Sequence, residues 1–269
     1  MFTDFTDKAP ADRGDWTIPQ DWAHFTAEDH RVWDVLFERQ QRRLSGRVVS
    51  AFERGLDILR LDKSGIPDFR ELNARLQPRT GWTVVAVPGL VPDDVFFRHL
   101  SERRFPAGNF IRSAAQLDYL EEPDVFHDVF GHVPMLADPA TADFMQRLGE
   151  EGLRALAAGS IERLSRLYWY TVEFGLARED GALKIYGAGL ASSFGEAGFA
   201  LDSDEPTRLP FDLAEVLRTR YRSDRFQSRY FVIESFEGLL SDLLGADLDA
   251  LYAEAARLPE IDPALPQAA

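Results

Sequence analysis

Apolar residues at helical spacing recur along most of this chain, and this pattern limits its fold more than any other feature of the sequence. Residues 27–44 follow the period of an amphipathic helix, and Thr26 is a suitable N-cap for it. Runs typical of strands are short; the clearest is the β-branched run 82–87. The fold class predicted is therefore mainly α with a few short β-strands.

The rest of the chain follows the same pattern. Further helices are predicted at 48–61, 68–76, 92–103, 123–131, 140–157 and 160–174, and a terminal helical region at 234–257. A second short strand is predicted at 109–112, and an irregular stretch around Gly187, Gly189 and Gly195. No repeat or composition break divides the 269 residues. We expect an N-terminal arm over 1–25, a single folded domain over 26–260 and a C-terminal tail over 261–269.

Charge and cysteine content exclude several classes of function. Asp and Glu number 45 against 30 Lys and Arg, so the formal net charge is −15. Such a chain repels nucleic acid and anionic lipid, and neither is an expected partner. The absence of cysteine excludes disulfides, thiolate-bound zinc, iron–sulfur clusters and a thiol nucleophile. Without a signal-peptide pattern or an apolar run long enough to span a membrane, we expect a cytoplasmic protein.

Two of the five histidines, His127 and His132, lie five residues apart. On a regular α-helix this spacing separates the two side chains by about 140°, which is poor for binding one ion. Gly131 and Pro134 indicate that the helix ends near Gly131, so that a redirected backbone could bring both imidazoles together. Taken alone, the spacing fits two structural histidines equally well.

Glu173 lies in a strongly aromatic segment, Tyr168-Trp-Tyr-Thr-Val-Glu173-Phe. A lone buried carboxylate costs several kcal/mol unless it is paired or binds a metal. Arg166 and Arg178 are candidate partners, which leaves an ion-paired structural Glu and a metal-bound Glu equally open.

Together, His127, His132 and Glu173 form a two-histidine, one-carboxylate set. This set occupies one face of an octahedral metal and is typical of non-haem Fe(II) enzymes that activate O2. Zinc hydrolases also use two His and one Glu, usually through an H-E-x-x-H helix that this chain lacks.

Three motifs resemble one known family, the biopterin-dependent aromatic amino acid hydroxylases. They are Glu122-Pro-Asp-Val-Phe-His127-Asp-Val-Phe-Gly-His132-Val-Pro134, Tyr168-Trp-Tyr-Thr-Val-Glu173-Phe-Gly-Leu176 and Tyr186-Gly-Ala-Gly-Leu-Ala-Ser-Ser193. The likeness extends from about residue 16 to 236 and is greatest to bacterial members that hydroxylate phenylalanine and consist of the catalytic domain alone. It implies the single-domain catalytic fold of that family over 26–260.

The resemblance implies a role for each matching residue. The iron ligands and catalytic residues fall on His127, His132 and Glu173. The position that binds the substrate carboxylate is Arg112, which without the resemblance would be interpreted as a surface ion pair. The other substrate-binding positions are Trp169, Phe174, Gly189 and Ser192, with Ser192 also expected to hydrogen-bond an iron-bound histidine.

The cofactor-binding positions implied are Val91, Phe96, Asp128 and Tyr168, with Phe96 stacking on the pterin. Animal members carry Glu where this chain has Asp128. The shorter side chain is expected to lengthen that contact or to insert a water into it.

The activity implied is hydroxylation of L-phenylalanine to L-tyrosine by O2, with Fe(II) and a tetrahydropterin as two-electron donor. Tryptophan hydroxylation is an alternative, although tryptophan-specific animal members carry Phe at the Trp169 position. Zinc-dependent hydrolysis at the same three ligands is a second alternative, and a non-catalytic helical interaction module is a third.

The animal enzymes' regulatory domain and tetramerisation helix have no counterpart in this sequence, so a monomer is expected.

Overall fold

The protein is described from a computed structural model that covers residues 14–118 and 122–263. Residues 1–13 of the predicted arm and 264–269 of the predicted tail lie outside the described residues. The division into arm, domain and tail stays a prediction.

Helices make up most of the described chain and confirm the mainly α fold class. They are α1 Ala27–Leu44, α2 Ser50–Leu59, α3 Phe69–Thr80, α4 Asp93–Ser101, α5 Val133–Leu136, α6 Pro139–Ala157, α7 Ile161–Tyr168, α8 Ala188–Ser192, α9 Phe194–Asp202, α10 Leu213–Arg218, α11 Phe236–Gly245 and α12 Leu248–Arg257. Short 3-10 turns lie at Trp22–His24 and Ala114–Gln116, and two π-helical segments at Phe126–His132 and Trp169–Glu173.

The start of α1 shows why this element was predictable. Thr26 Oγ1 accepts a hydrogen bond from Asp29 N at 3.2 Å, and the Asp29 carboxylate accepts one from Thr26 N at 2.7 Å. This reciprocal capping satisfies backbone donors that the first helical turn leaves free.

The strands form two small sheets. They are β1 Thr83–Val87, β2 Arg104–Gly108, β3 Leu176–Glu179, β4 Ala182–Ile185, β5 Thr207–Pro210 and β6 Arg229–Ile233. β1 and β2 pair in parallel. The other four have the order β4-β3-β6-β5, in which β3–β4 is antiparallel and the remaining pairs are parallel.

Several local predictions were wrong. The strand predicted at 109–112 lies instead at 104–108, and the stretch predicted to be irregular around Gly187 to Gly195 contains α8 and the start of α9. The helical region predicted at 234–257 is confirmed and consists of two helices, α11 and α12, separated near Ala246. Because β3 to β6 are only four or five residues long, their apolar pattern is too brief to separate them from loops.

An aromatic cluster places the first π-helical segment at the centre of the core. Phe126 stacks on Phe130 at a ring distance of 4.8 Å, while Trp33 and Phe37 from α1 and Phe52 from α2 meet these rings edge-on. The segment that carries His127 and His132 is therefore packed between helices. Within the described ranges, no helix is both long and apolar enough to cross a membrane.

Candidate metal centre

The side chains of His127, His132 and Glu173 converge on one point. His132 Nε2 lies 3.3 Å from His127 Nε2 and 3.2 Å from Glu173 Oε1, and His127 Nε2 lies 3.6 Å from Glu173 Oε2. One ligand atom from each residue lies within 4.8 Å of those of the other two. Three donors this close, with one negative charge among them, are suited to a single divalent cation.

The convergence of the two histidines has a different cause from the one predicted. The helix does not end at Gly131: a π-helical segment extends through His132 and continues into α5. In a π-helix the hydrogen bonds join residues five apart, so His127 and His132 come to the same face. The wider turn of the π-helix therefore brings the two imidazoles together, with no change in the direction of the backbone at Gly131.

The second π-helical segment presents Glu173. The N–H of Phe174 donates to the carbonyl of Trp169, five residues back, at 2.8 Å. A Cβ on Gly189 would come within 2.9 Å of the Phe174 ring and 3.0 Å of the Glu173 carbonyl. Only glycine therefore fits where α8 passes this segment.

The ion-pair alternative for Glu173 is excluded by the positions of the two arginines. Arg166 pairs with Glu162 and Glu260, and Arg178 lies near Glu234. Glu173 instead faces the imidazoles. Burial acts to raise its pKa, but the adjacent imidazoles, led by His132, together with a hydrogen bond from His132 and one from Gly189 N, more than offset this and hold the pKa of Glu173 below its usual value. The carboxylate is therefore the charged form that a cation binds.

Ser192 sets the tautomer of His127. The Ser192 hydroxyl donates to the carbonyl of Ala188 at 2.9 Å, so its oxygen can accept from His127 Nδ1–H, also at 2.9 Å. With the proton on Nδ1, the lone pair of Nε2 points to the cluster, as a metal ligand requires. Burial also lowers the pKa of His127 to about 4, which keeps the imidazole neutral.

Arg112 is buried rather than part of a surface ion pair. Its Nε and Nη2 donate to the two oxygens of Asp124 at 2.8 and 2.9 Å, and its backbone N–H donates to the same carboxylate. Asp124 also accepts from the backbone N–H of His127 at 3.0 Å. It thus ties Arg112 to the first histidine and leaves the other edge of the guanidinium for a ligand.

A cavity of roughly 580 Å³ opens beside the cluster. The residues predicted to bind substrate all line it, together with two members of the cluster: Arg112, Trp169, Phe174, Gly189, Ser192, His127 and Glu173. Its aromatic side is the pair Trp169 and Phe174, with ring centroids 4.7 Å apart.

A second cavity of roughly 300 Å³ also borders the cluster, and most of its lining residues differ from those of the first cavity. The residues predicted to bind the pterin line it: Val91, Phe96, Asp128 and Tyr168. Phe96 and Tyr168 meet edge-on at 5.5 Å. Asp128 accepts a hydrogen bond from Gly108 N at 2.7 Å, and burial raises its pKa to about 7.

Sequence reasoning missed three residues at the site. Asp124 stands inside the first motif, three residues before His127, and its position next to a predicted ligand was a usable signal. Tyr221 stacks on Trp169 at 4.3 Å, and Gln227 accepts from the Trp169 indole. These two come about fifty residues after Trp169, in a stretch with no pattern that points to a site.

Comparison with known proteins gives one consistent result. A family model described as biopterin-dependent aromatic amino acid hydroxylase matches residues 4–245. The phenylalanine-4-hydroxylase of Caulobacter vibrioides is 57% identical over 252 residues, which cover 94% of this chain and 85% of that protein. The phenylalanine-4-hydroxylase of Ralstonia nicotianae is 51% identical over 247 residues, covering 92% of this chain and 79% of that protein. The iron- and phenylalanine-bound crystal structure of Chromobacterium violaceum phenylalanine hydroxylase is similar, with a TM-score of 0.90 and 46% identity, covering 95% of this chain and 93% of that one.

Proposed function

The chain belongs to the family of biopterin-dependent aromatic amino acid hydroxylases, and from this premise we propose that it converts L-phenylalanine to L-tyrosine with O2, Fe(II) and a tetrahydropterin. The observation that carries the proposal is the position of the His127, His132 and Glu173 cluster between two cavities. One cavity suits a free aromatic amino acid and the other a flat heterocycle.

The donor set fits iron. Two neutral imidazoles and one carboxylate bind one face of the ion and leave the opposite face open. Bound Fe(II) supplies the place where O2 is activated, and the tetrahydropterin supplies the two electrons. The chain contributes a ligand set held by Ser192, Asp124 and the two π-helical segments.

In the larger cavity, Arg112 binds the carboxylate of phenylalanine through its free edge. A planar guanidinium already fixed by Asp124 loses little freedom when it takes a second carboxylate. Trp169 and Phe174 hold the ring by van der Waals contact and exclude water from it. The amino acid is thereby oriented with its ring toward the cluster.

In the smaller cavity, Phe96 stacks on the pterin, while Val91 and Tyr168 enclose it. The carboxyl group of Asp128 is engaged by Gly108 N, so its direct reach toward a ligand is limited. A water between Asp128 and the pterin is therefore the contact we propose.

We also propose that the protein acts as a monomer in the cytoplasm, without nucleic acid or membrane partners. The net charge of −15 supports the last two points. Light scattering of the purified protein tests the oligomeric state. A mass equal to two or more chains would contradict the proposed monomer.

The function is tested by anaerobic reconstitution with Fe(II), followed by a tyrosine assay with phenylalanine, tetrahydropterin and O2. We expect tyrosine from the native protein and a large loss of both iron and turnover in His132→Ala. His24→Ala, at an exposed position away from the cluster, is the matched control. Full iron content and turnover in His132→Ala would exclude it as a ligand. Hydroxytryptophan as the main product from mixed amino acids would favour tryptophan hydroxylation.

A further inference from the structure

Trp169 is held by contacts on its rings and at its edge. Tyr221 stacks on it at 4.3 Å with an angle of 17°, and Phe174 lies at 4.7 Å with an angle of 33°. At its edge, the indole Nε1–H donates to Gln227 Oε1 at 3.1 Å. The stacking contacts permit the ring to slide within its plane, whereas the hydrogen bond fixes it in that plane.

The amide of Gln227 has one orientation that satisfies its neighbours. Its Nε2 donates to the carbonyls of Arg222 and Arg225 at 2.7 and 3.2 Å. Carbonyls accept only, so the NH2 group must face them and Oε1 must face the indole. Gln227 is 4% exposed, which shields this arrangement from competing water.

The backbone of Gln227 is fixed as well. Its N–H donates to Glu196 Oε1 at 2.8 Å, and the Tyr230 hydroxyl donates to the same oxygen at 2.9 Å. Glu196 is 5% exposed and lies in α9, directly after α8, which carries Gly189 and Ser192. Gln227 therefore links Trp169 to α9, which directly follows the helix that carries Gly189 and Ser192.

We propose that Gln227 is a positioning residue that fixes the indole of Trp169 and thereby sets the preference of the larger cavity for a single-ring amino acid. This inference rests on the proposed function, because it assumes that the larger cavity takes phenylalanine. Gln227 acts through Trp169 and does not line the cavity itself.

The first test is Gln227→Met, which keeps the side-chain length and removes the acceptor. We expect KM for phenylalanine to rise about fivefold, the equivalent of one neutral hydrogen bond of ~1 kcal/mol, with kcat within about twofold of the native value. The preference for phenylalanine over tryptophan, measured in competition, should fall by a similar factor. Gln77→Met, at an exposed position of α3, is the matched control and should change neither quantity.

A double-mutant cycle separates positioning from general support of the fold. Trp169→Phe removes the indole N–H and trims the wall, and should itself raise the relative preference for tryptophan. If Gln227 acts through Trp169, adding Gln227→Met to Trp169→Phe should change KM and product ratio less than twofold. Equal effects of Gln227→Met in both backgrounds would overturn the proposal, as would a native KM and product ratio in folded, iron-loaded Gln227→Met.

Two further measurements are made on every variant: iron content and the midpoint of thermal unfolding. If Gln227→Met lowers iron content, this midpoint and kcat together in both the native protein and Trp169→Phe, Gln227 has a structural role only and the proposal is overturned. If Gln227→Met does not fold, Gln227→Asn replaces it in the same measurements. Its side chain is one methylene shorter, so its amide no longer reaches the indole of Trp169. Failure of the native holoenzyme to make tyrosine would reject the proposed function, whereas failure of the inference appears only among variants of an active enzyme.

Discussion

At the scale of single residues, three side chains of the candidate site are each oriented by a neighbour. Asp124 holds Arg112, Ser192 holds His127, and Gln227 holds Trp169. Sequence motifs indicated Arg112, His127 and Trp169 as candidate site residues, but of their three neighbours they indicated only Ser192. Gln227 was missed because a hydrogen bond between residues 58 positions apart leaves no periodic trace in the sequence, whereas Asp124 was missed although it lies inside the first motif.

Substituting Arg112 tests the carboxylate contact. Arg112→Lys replaces a planar fork with a point charge, so both the tie to Asp124 and the two-point contact with a substrate carboxylate are lost. We expect phenylalanine binding to weaken by ~1–3 kcal/mol, measured as its dissociation constant under anaerobic conditions. Phenylethylamine, which lacks the carboxylate, should be a poor substrate of the native enzyme. Arg54→Lys, on the exposed side of α2, is the control, and an unchanged dissociation constant in Arg112→Lys would remove Arg112 from the site.

Glu196 should make stability depend on pH. Burial raises its pKa from 4.5 to about 7, so the folded state holds this proton more tightly than the unfolded state does. Its contribution to stability is therefore present at low pH and is lost as pH rises from about 4.5 to about 7. The native protein should lose this contribution as pH rises, and Glu196→Gln should not. The unfolding free energy of Glu196→Gln minus that of the native protein should therefore increase by up to ~3 kcal/mol from pH 5 to pH 8.

Urea unfolding of the iron-loaded proteins at several pH values measures this difference. Comparing variant with native protein cancels the titration of His127, whose lowered pKa acts in the opposite direction. Glu237→Gln, at an exposed carboxyl, should track the native curve. A constant offset between Glu196→Gln and native protein across the whole range would contradict the expectation.

At the scale of elements, long helices were predictable and short or unusual ones were not. α1 has the predicted bounds because its period and cap act locally. The π-helical segment was not predictable, since its wider turn depends on the packing of Phe126 and Phe130 in the core. One missed signal was present: Asp180-Gly181 joins β3 and β4, and both residues have positive φ, as the tight turn of a hairpin requires.

The close contact between α8 and the first π-helical segment gives a prediction for Gly131. A Cβ there would lie 2.9 Å from the Ala188 carbonyl, so Gly131→Ala should push α8 away and draw Ser192 from His127. We expect about tenfold weaker Fe(II) binding and ~1–3 kcal/mol lower stability. Fe(II) titration and urea unfolding measure these, with Gly245→Ala as control because no atom lies within 4 Å of its Cβ position. Lower stability with native iron affinity would show that α8 does not control His127.

At the scale of the whole molecule, the last described residues are part of the packed structure. Ile261 N donates to the Arg218 carbonyl, and Ile261 O accepts from Arg220 N, both at 2.9 Å. The carboxylate of Glu260 pairs with Arg166, which is 2% exposed. The Arg220 carbonyl in turn accepts from the Tyr170 hydroxyl at 2.6 Å. Glu260 and Ile261 thus support the segment that carries Tyr221, which stacks on Trp169.

Removing the charge of Glu260 tests this support. Among the described residues, the buried Arg166 of Glu260→Gln keeps Glu162 as its one charged partner, so we expect a loss of ~1–2 kcal/mol in unfolding free energy. Iron content should stay native because Glu260 is remote from the ligands. Glu254→Gln, at an exposed site on α12, is the control, and equal stability of the two variants would contradict the assigned role.

The two cavities share five lining residues around the cluster: Leu90, Pro123, His127, Trp169 and Glu173. Their remaining walls differ, so with phenylalanine in the larger cavity and the pterin in the smaller one, as proposed, neither substrate blocks the other's access to the cluster. In steady-state kinetics this arrangement corresponds to a ternary complex that assembles in either order. Reciprocal plots at several fixed pterin concentrations should intersect, and an inert analogue of phenylalanine should compete with phenylalanine but not with the pterin. Parallel lines would mean that one organic substrate must leave before the other arrives.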